Sequence, residues 1–197
     1  MNPACRSCTS ALHDTTASRE KWRSLRDRKR QRLRRLRHLG RAPRIGLVGC
    51  GKAKREGVHA ARDLYVGRLF TGAFALSHTE HDDTYILSAR HGLLRPDDRV
   101  ASYDFCLHDL RLSDRHRWGA GVVYHLQTLF PTSMRLEFVL LAGAAYVRPI
   151  LDAARSARLS AWSFEDPMAG MGLLQRMSWL AGRHLRPNLS PPSSVSP

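Results

Sequence analysis

The sequence predicts an α/β fold, a small three-layer sandwich with a mostly parallel central sheet and a basic helix ahead of it. Three short apolar runs, Ile45–Gly49, Thr84–Ser88 and Glu137–Leu141, each end abruptly in a glycine-bearing or polar loop. Segments with helical apolar spacing lie between them, an alternation that specifies parallel strands joined by crossover helices. The third observation is charge: residues 1–44 hold 14 Lys/Arg against 3 Asp/Glu, whereas residues 45–197 hold 18 against 14. Most of the formal charge of +15 therefore belongs to an appendage rather than to the domain.

Taken in order, residues 1–18 are rich in Ser, Thr and small side chains without sustained periodicity and read as a disordered leader. Residues 19–42 read as a basic helical arm. Between Arg19 and His38 eleven cations surround a thin stripe of Trp22, Leu25, Leu33 and Leu36, with Glu20 and Asp27 as the acids. Closely spaced cations release counterions from a phosphate backbone, so nucleic acid is the expected partner of this arm. A solvated basic tail is the alternative, because charge alone carries no sequence readout.

Gly40 and Pro43 punctuate the entry to an α/β domain at 43–184. Its first strand is Ile45–Gly49. Leu64, Tyr65, Leu69, Phe70, Phe74 and Leu76 predict one helix over 62–77, and Thr84–Ser88 is the second strand. Arg95–Arg99 reads as a turn, and Val100–His108 as irregular or extended. Ser113 is placed to cap a helix running to about Leu129, which Pro131 ends. After the third strand a helix is expected to about Arg158, and a closing helix over 171–182. The Pro/Ser-rich residues 185–197 read as a disordered tail.

No apolar run approaches the roughly 18–20 residues that cross a bilayer, and the N-terminus lacks the apolar centre of a signal peptide. A cytoplasmic protein without a membrane partner is expected. Cys5, Cys8, Cys50 and Cys106 are too sparse for a disulfide framework. Cys5-x-x-Cys8 is half of a zinc knuckle to which His13 adds a third ligand, so neither metal nor cofactor is expected.

The candidate site lies where the strands end, because open α/β sheets bind ligands beyond the carboxyl ends of their strands. Gly46-x-x-x-x-Gly51-Lys52 nearly spells a phosphate-binding P-loop. Gly46, however, falls inside the strand, and Ala53 stands where a magnesium-binding Ser or Thr is required. What remains is anion recognition or covalent chemistry. Gly49 and Gly51 permit close backbone approach, Lys52 and Lys54 can clamp an anion, and Cys50 is either a reactive thiol or a buried filler.

Ser88, Arg90, His91 and Gly92 follow the second strand. His91 suits proton transfer near neutral pH and Arg90 suits anion binding, against the plainer role of a histidine satisfying backbone groups at a tight turn. Asp63 can orient a base or simply favour a helix start. Tyr65 and Tyr103 can stack on a ligand or pack in the core, and Asp104 can accept its hydrogen bonds. Gly143 and Tyr146 follow the third strand. Three neighbouring parallel strands would bring these ends side by side.

The succession Leu47-Val-Gly-Cys-Gly-Lys-Ala-Lys54, Ala61-Arg-Asp-Leu-Tyr-Val-Gly-Arg-Leu-Phe70 and Ile86-Leu-Ser-Ala-Arg-His-Gly-Leu-Leu94 resembles a family of small bacterial and phage proteins, domain of unknown function 6884. Tyr103-Asp104 and Asp166-Pro-Met-Ala-Gly-Met-Gly172 resemble its later signatures, so the likeness spans about residues 44–180. Where this chain has Arg90 the family often places lysine. More distantly, Cys50 with Lys52 and Lys54 resembles the Cys-Ser-x-x-Lys motif of archaeosine synthase, which acts on a modified tRNA base.

The resulting expectation is an enzyme acting on a nucleotide, nucleobase or nucleic acid by glycosidic cleavage or base modification. Cys50, Lys52, Asp63 and His91 are its catalytic candidates and a nucleotide-like molecule its ligand. A noncatalytic nucleic-acid-binding protein, or a stress or phage-defence accessory protein, is the alternative.

Overall fold

The structure is a computed structural model and describes residues 27–184. The expected leader 1–18, the first part of the basic arm with Trp22 and Leu25, the Cys5/Cys8/His13 group and the tail 185–197 lie outside the described residues. Two compact units divide at Gly40. In the first, residues 27–37 form helix α1, carrying Arg28, Lys29, Arg30, Arg32, Arg34, Arg35 and Arg37.

The second unit is built on a five-stranded sheet of order β4-β3-β1-β6-β7. The first apolar run becomes β1 (Arg44–Gly49), the second β3 (Asp83–Ser88) and the third β6 (Leu136–Leu141). β1 is central and parallel to both neighbours, with Leu47 opposite Tyr85 on one side and Leu140 on the other. Strands buried on both faces need continuous apolar sequence, which is why these three were legible.

Alternation along β1 then decides the layers. Gly46 and Val48 face α3 (Arg68–Glu80) and α6 (Leu173–His184), where Val48, Ile86, Val139 and Leu141 join Phe70, Leu76 and Leu180 in one core. The opposite face carries α4 (Leu112–Leu129) and α5 (Ala144–Ser156), which pack on each other. There Phe138 meets Phe130 and Trp162, and Tyr85 meets Phe130 edge-on. Helices on both faces make the three layers.

Several local expectations are corrected. The single helix over 62–77 is two pieces, α2 (Ala61–Leu64) and α3, separated by an extended Tyr65–Gly67. Tyr65 pairs with Lys54 across an isolated bridge, and Val66 N–H donates to the Ala53 carbonyl at 3.1 Å. Tertiary hydrogen bonds to the loop after β1 thus replace helical ones. Ser113 does not cap α4, whose N-cap is Arg111 without a side-chain bond.

The stretch after Arg99 starts as β5 (Arg99–Ala101), antiparallel to β2 (Val58–Ala60), and later forms a 3-10 turn at Leu107–Asp109. β4 (Gly92–Leu94), antiparallel to β3, and β7 (Trp162–Glu165), parallel to β6, were also unforeseen. Elements of three or four residues carry too few positions for periodicity to show.

Among the described residues no helix is long and apolar enough to cross a membrane.

Candidate functional site

The sheet order places a topological switch at the centre. From β1 the chain first adds β3 on one side and later β6 on the other, so the connections leaving β1 and β6 diverge at their carboxyl ends. Such divergence opens a crevice in doubly wound sheets. A cavity of about 980 Å³ lies there, lined by Gly49 to Lys54 from the loop after β1 and by Leu141 to Ala144 and Tyr146 from the end of β6. Arg68–Phe70 at the start of α3, Asp104–Asp109, Met168 and the first turns of α6 complete its walls.

Close approach of the two strand ends forms the floor. A Cβ on Gly49 would stand 2.9 Å from Ala142 Cβ, so glycine is required for β1 to meet β6 at this level. Cys50 follows immediately and is half-buried. Its N–H donates to the Leu87 carbonyl at 2.9 Å, holding the residue in line with the strand.

Around the thiol is a chain of hydroxyls. Cys50 Sγ is 3.3 Å from Tyr146 Oη, and Tyr103 O–H points to the same sulfur at 3.8 Å. Tyr103 Oη is also 3.0 Å from Tyr65 Oη and 2.8 Å from Ser88 Oγ, which accepts from His91 N–H at 3.1 Å. Either oxygen can donate in the Tyr103–Ser88 and Tyr103–Tyr65 pairs, so three phenols, one serine hydroxyl and the thiol form a single hydrogen-bonded group. Burial raises the pKa of all three tyrosines above the ordinary phenol value, so they stay protonated.

The charged lining is unbalanced. Lys52 and Arg68 are exposed at the mouth, while Lys54 and Arg176 are half-buried. Lys54 Nζ donates to the Lys52 carbonyl at 3.2 Å and sits 4.3 Å from the Tyr103 ring centre. Arg176 donates from Nε to the Met171 carbonyl at 2.9 Å and from Nη1 to the Ala142 carbonyl at 3.0 Å. Among the described residues no carboxylate is ion-paired with any of these four cations, in contrast to Arg41, Arg44, Arg62 and Arg183 elsewhere in the domain.

Of the sequence candidates, Gly49, Cys50, Gly51, Lys52, Lys54, Asp104, Gly143 and Tyr146 converge on this cavity. The strand-end group after β3 does not. β4 reverses the chain immediately, pairing Gly92 with Ser88, and Gly92 takes φ 69° to make the turn. Arg90 and His91 are consequently exposed outside the cavity lining. The His91 ring lies edge-on to Tyr103 at 5.4 Å, and its pKa is lowered by partial burial and by the Arg90 charge.

Ser88 and Tyr65 are buried and are linked to Cys50 by hydrogen bonds that run through Tyr103. Asp63 is exposed beside Arg62 in α2. Sequence reasoning missed Arg68, His108, Asp109 and Arg176. The family-like Asp166–Gly172 segment was the nearest signal for Arg176, four residues beyond it.

Gly46 is not a phosphate-loop glycine. A side chain there would overlap Ser77 Oγ and come within 2.7 Å of His81 Nδ1 on α3, so it is a packing contact. Among the described residues no group of three or more His, Cys, Asp or Glu could hold a metal ion.

An α/β protein with a mostly parallel sheet and a cation-lined cavity at its switch point is the class these features define. The chain belongs to the Family of unknown function (DUF6884), whose model matches residues 45–182. No curated protein and no solved structure matched.

Proposed function

We propose that the chain is an enzyme acting on a nucleotide, nucleobase or nucleic acid, with the cavity at the ends of β1 and β6 as its active site. The single observation that carries this reading is the convergence of the Cys50 thiol with four cations, none ion-paired to a carboxylate among the described residues, in one ligand-sized crevice. Cys50 is the reacting group, aligned by Tyr103 and Tyr146, and Lys52 holds an anionic part of the substrate or its leaving group. Leu69, Phe105 and Met171, partly exposed in the lining, offer an apolar wall for a base.

Pockets of this size, mostly apolar with a few convergent polar groups, are the usual form of a small-molecule site. The reaction is glycosidic cleavage or base modification. His91 enters this scheme only indirectly, through Tyr103 and Ser88.

The test is mass spectrometry of nucleosides, mononucleotides and tRNA after incubation with the full chain and with Cys50→Ala and Lys52→Ala. A mass change or released base that both variants abolish supports the assignment. Turnover that survives both substitutions refutes it.

A second reading is favoured by α1, which places seven cations within residues 27–37. Here the arm binds nucleic acid and the domain is not catalytic. Removing residues 1–42 should then abolish most of the salt-sensitive affinity, whereas an enzyme's domain would keep turnover on a small substrate.

A further inference from the structure

Arg176 stands out from the other arginines of the domain. It is half-buried, and its guanidinium is fixed by two bonds to main-chain carbonyls on opposite sides, Met171 and Ala142. Those bonds use two of its five N–H groups, and among the described residues no carboxylate is ion-paired with the rest. Those carbonyls and the remaining solvent offset part of the cost of burying the charge, and an arriving anion would offset more of it. Being held by backbone, Arg176 is also already ordered for binding.

The surrounding charges specify more than an anion. Lys52 and Arg68 at the mouth add to Arg176, while Asp104 and Asp109 line the same cavity from a different segment. Among the described residues no ion pair joins either acid to these cations, although all line one cavity. A ligand that fits both sets is anionic at one end and rich in N–H or O–H donors at the other. Leu69, Phe105, Met171 and Met177 line the same cavity and are only partly buried, supplying apolar surface.

We infer that Arg176 is the phosphate-reading residue of this cavity and that its ligand is a 5′-mononucleotide unit. The phosphate sits on Arg176 with Lys52 and Arg68, and the sugar hydroxyls or exocyclic amino groups donate to Asp104 and Asp109. This deepens the proposed function and rests on it for the location of the site. It excludes free bases and nucleosides as the preferred ligands.

Calorimetric titration of the full chain tests the assignment with four probes: 5′-mononucleotides, the matching nucleosides, inorganic phosphate and a short single-stranded oligonucleotide. Mononucleotides should bind at least tenfold more tightly than the nucleosides or phosphate. Arg176→Ala should weaken them by about 30-fold or more, as when one partner of a hydrogen-bonded charge pair is truncated. Arg176→Lys should recover only part of that loss, because an ammonium cannot reproduce the pinned fork.

Nucleoside binding should be indifferent to both substitutions. An oligonucleotide that outcompetes the mononucleotide through the same Arg176 dependence would identify the unit as part of a polymer. Lys52→Ala, in an exposed loop, gives the same reading should loss of Arg176 impair folding, which thermal unfolding reports.

Nucleosides binding as tightly as mononucleotides, or phosphate alone doing so, would overturn the inference while leaving the cavity as the site. Mononucleotide binding unchanged by both Arg176→Ala and Lys52→Ala would overturn it as well. Absence of binding by every probe would overturn the proposed function together with it.

Discussion

Substituting Gly46 separates a phosphate-binding role from a packing role. An alanine methyl at this position overlaps Ser77 Oγ and falls 3.0 Å from Ser77 Cβ and 2.7 Å from His81 Nδ1. Rotating the Ser77 hydroxyl away cannot relieve the contact, because Cβ itself remains too close. Ser77 is fully buried and bonded to Thr84 Oγ1 at 2.8 Å and His81 Nδ1 at 3.1 Å. Relief therefore requires α3 to move off the sheet or both hydrogen bonds to break.

Overpacking of this kind costs about 1–3 kcal/mol, and each hydrogen bond about 1 kcal/mol. Gly46→Ala should thus destabilise the domain by roughly 3 kcal/mol, a fall in Tm of about 6–12 °C for a chain of this length. Urea unfolding followed by tryptophan fluorescence gives the free energy. Adding Ser77→Ala should return part of the loss, since the overlapping oxygen is gone, making the pair non-additive. Gly46→Ala with an unchanged urea midpoint would refute the packing assignment. Loss of anion binding without destabilisation would restore the phosphate-loop reading.

Other outcomes follow from buried titrating groups and helix packing. Burial, followed by the Arg44 charge, lowers the pKa of His81 to about 4. Because the unfolded ring takes up its proton first, stability should fall as pH drops from about 6.5 towards 4. Full burial would make this roughly 3 kcal/mol, and partial exposure of the ring reduces it to about 1–2. Urea midpoints at pH 7 and pH 4.5 should differ less in His81→Asn than in the native chain, and an equal difference would refute the assignment. Tyr103→Phe leaves the buried hydroxyls of Ser88 and Tyr65 without this hydrogen-bond partner, costing about 1–2 kcal/mol at neutral pH. Since buried tyrosines hold their protons while unfolded ones ionise near pH 10, the native chain should lose stability as pH rises above 10. That alkaline loss should be smaller in the Tyr103→Phe variant when unfolding is followed at pH 8 and pH 10.5. On the opposite face of the sheet, Gly119→Ala would overlap the Pro149 carbonyl and stand 2.6 Å from Pro149 Cβ, forcing α4 away from α5. A destabilisation of about 2 kcal/mol is expected by chemical denaturation, and a neutral result would show that the two helices do not pack through this glycine.

Much of the site was legible because its residues sit directly after apolar strands. Cys50, Lys52 and Lys54 follow β1, and Gly143 and Tyr146 follow β6, so naming the strands was enough to place them at one edge. Arg90 and His91 follow β3 by the same pattern yet lie outside the cavity. No periodicity foretells that β4, three residues long, turns back at once and carries them off. Tyr65 misled for the opposite reason: its spacing is helical, but bonds to the loop after β1 outweigh helix formation.

What the sequence determined by itself was the α/β class and the strand ends, since continuous apolar runs buried on both faces can serve only as inner strands of a covered sheet. Tertiary structure decided which strand ends meet. The order β3-β1-β6 opens the crevice beside β1 and β6, and closure by α6 brings in Arg176, 124 residues beyond Lys52 along the chain. That pairing rests on chain topology and on main-chain carbonyls at Ala142 and Met171, which carry no side-chain identity for a sequence pattern to register.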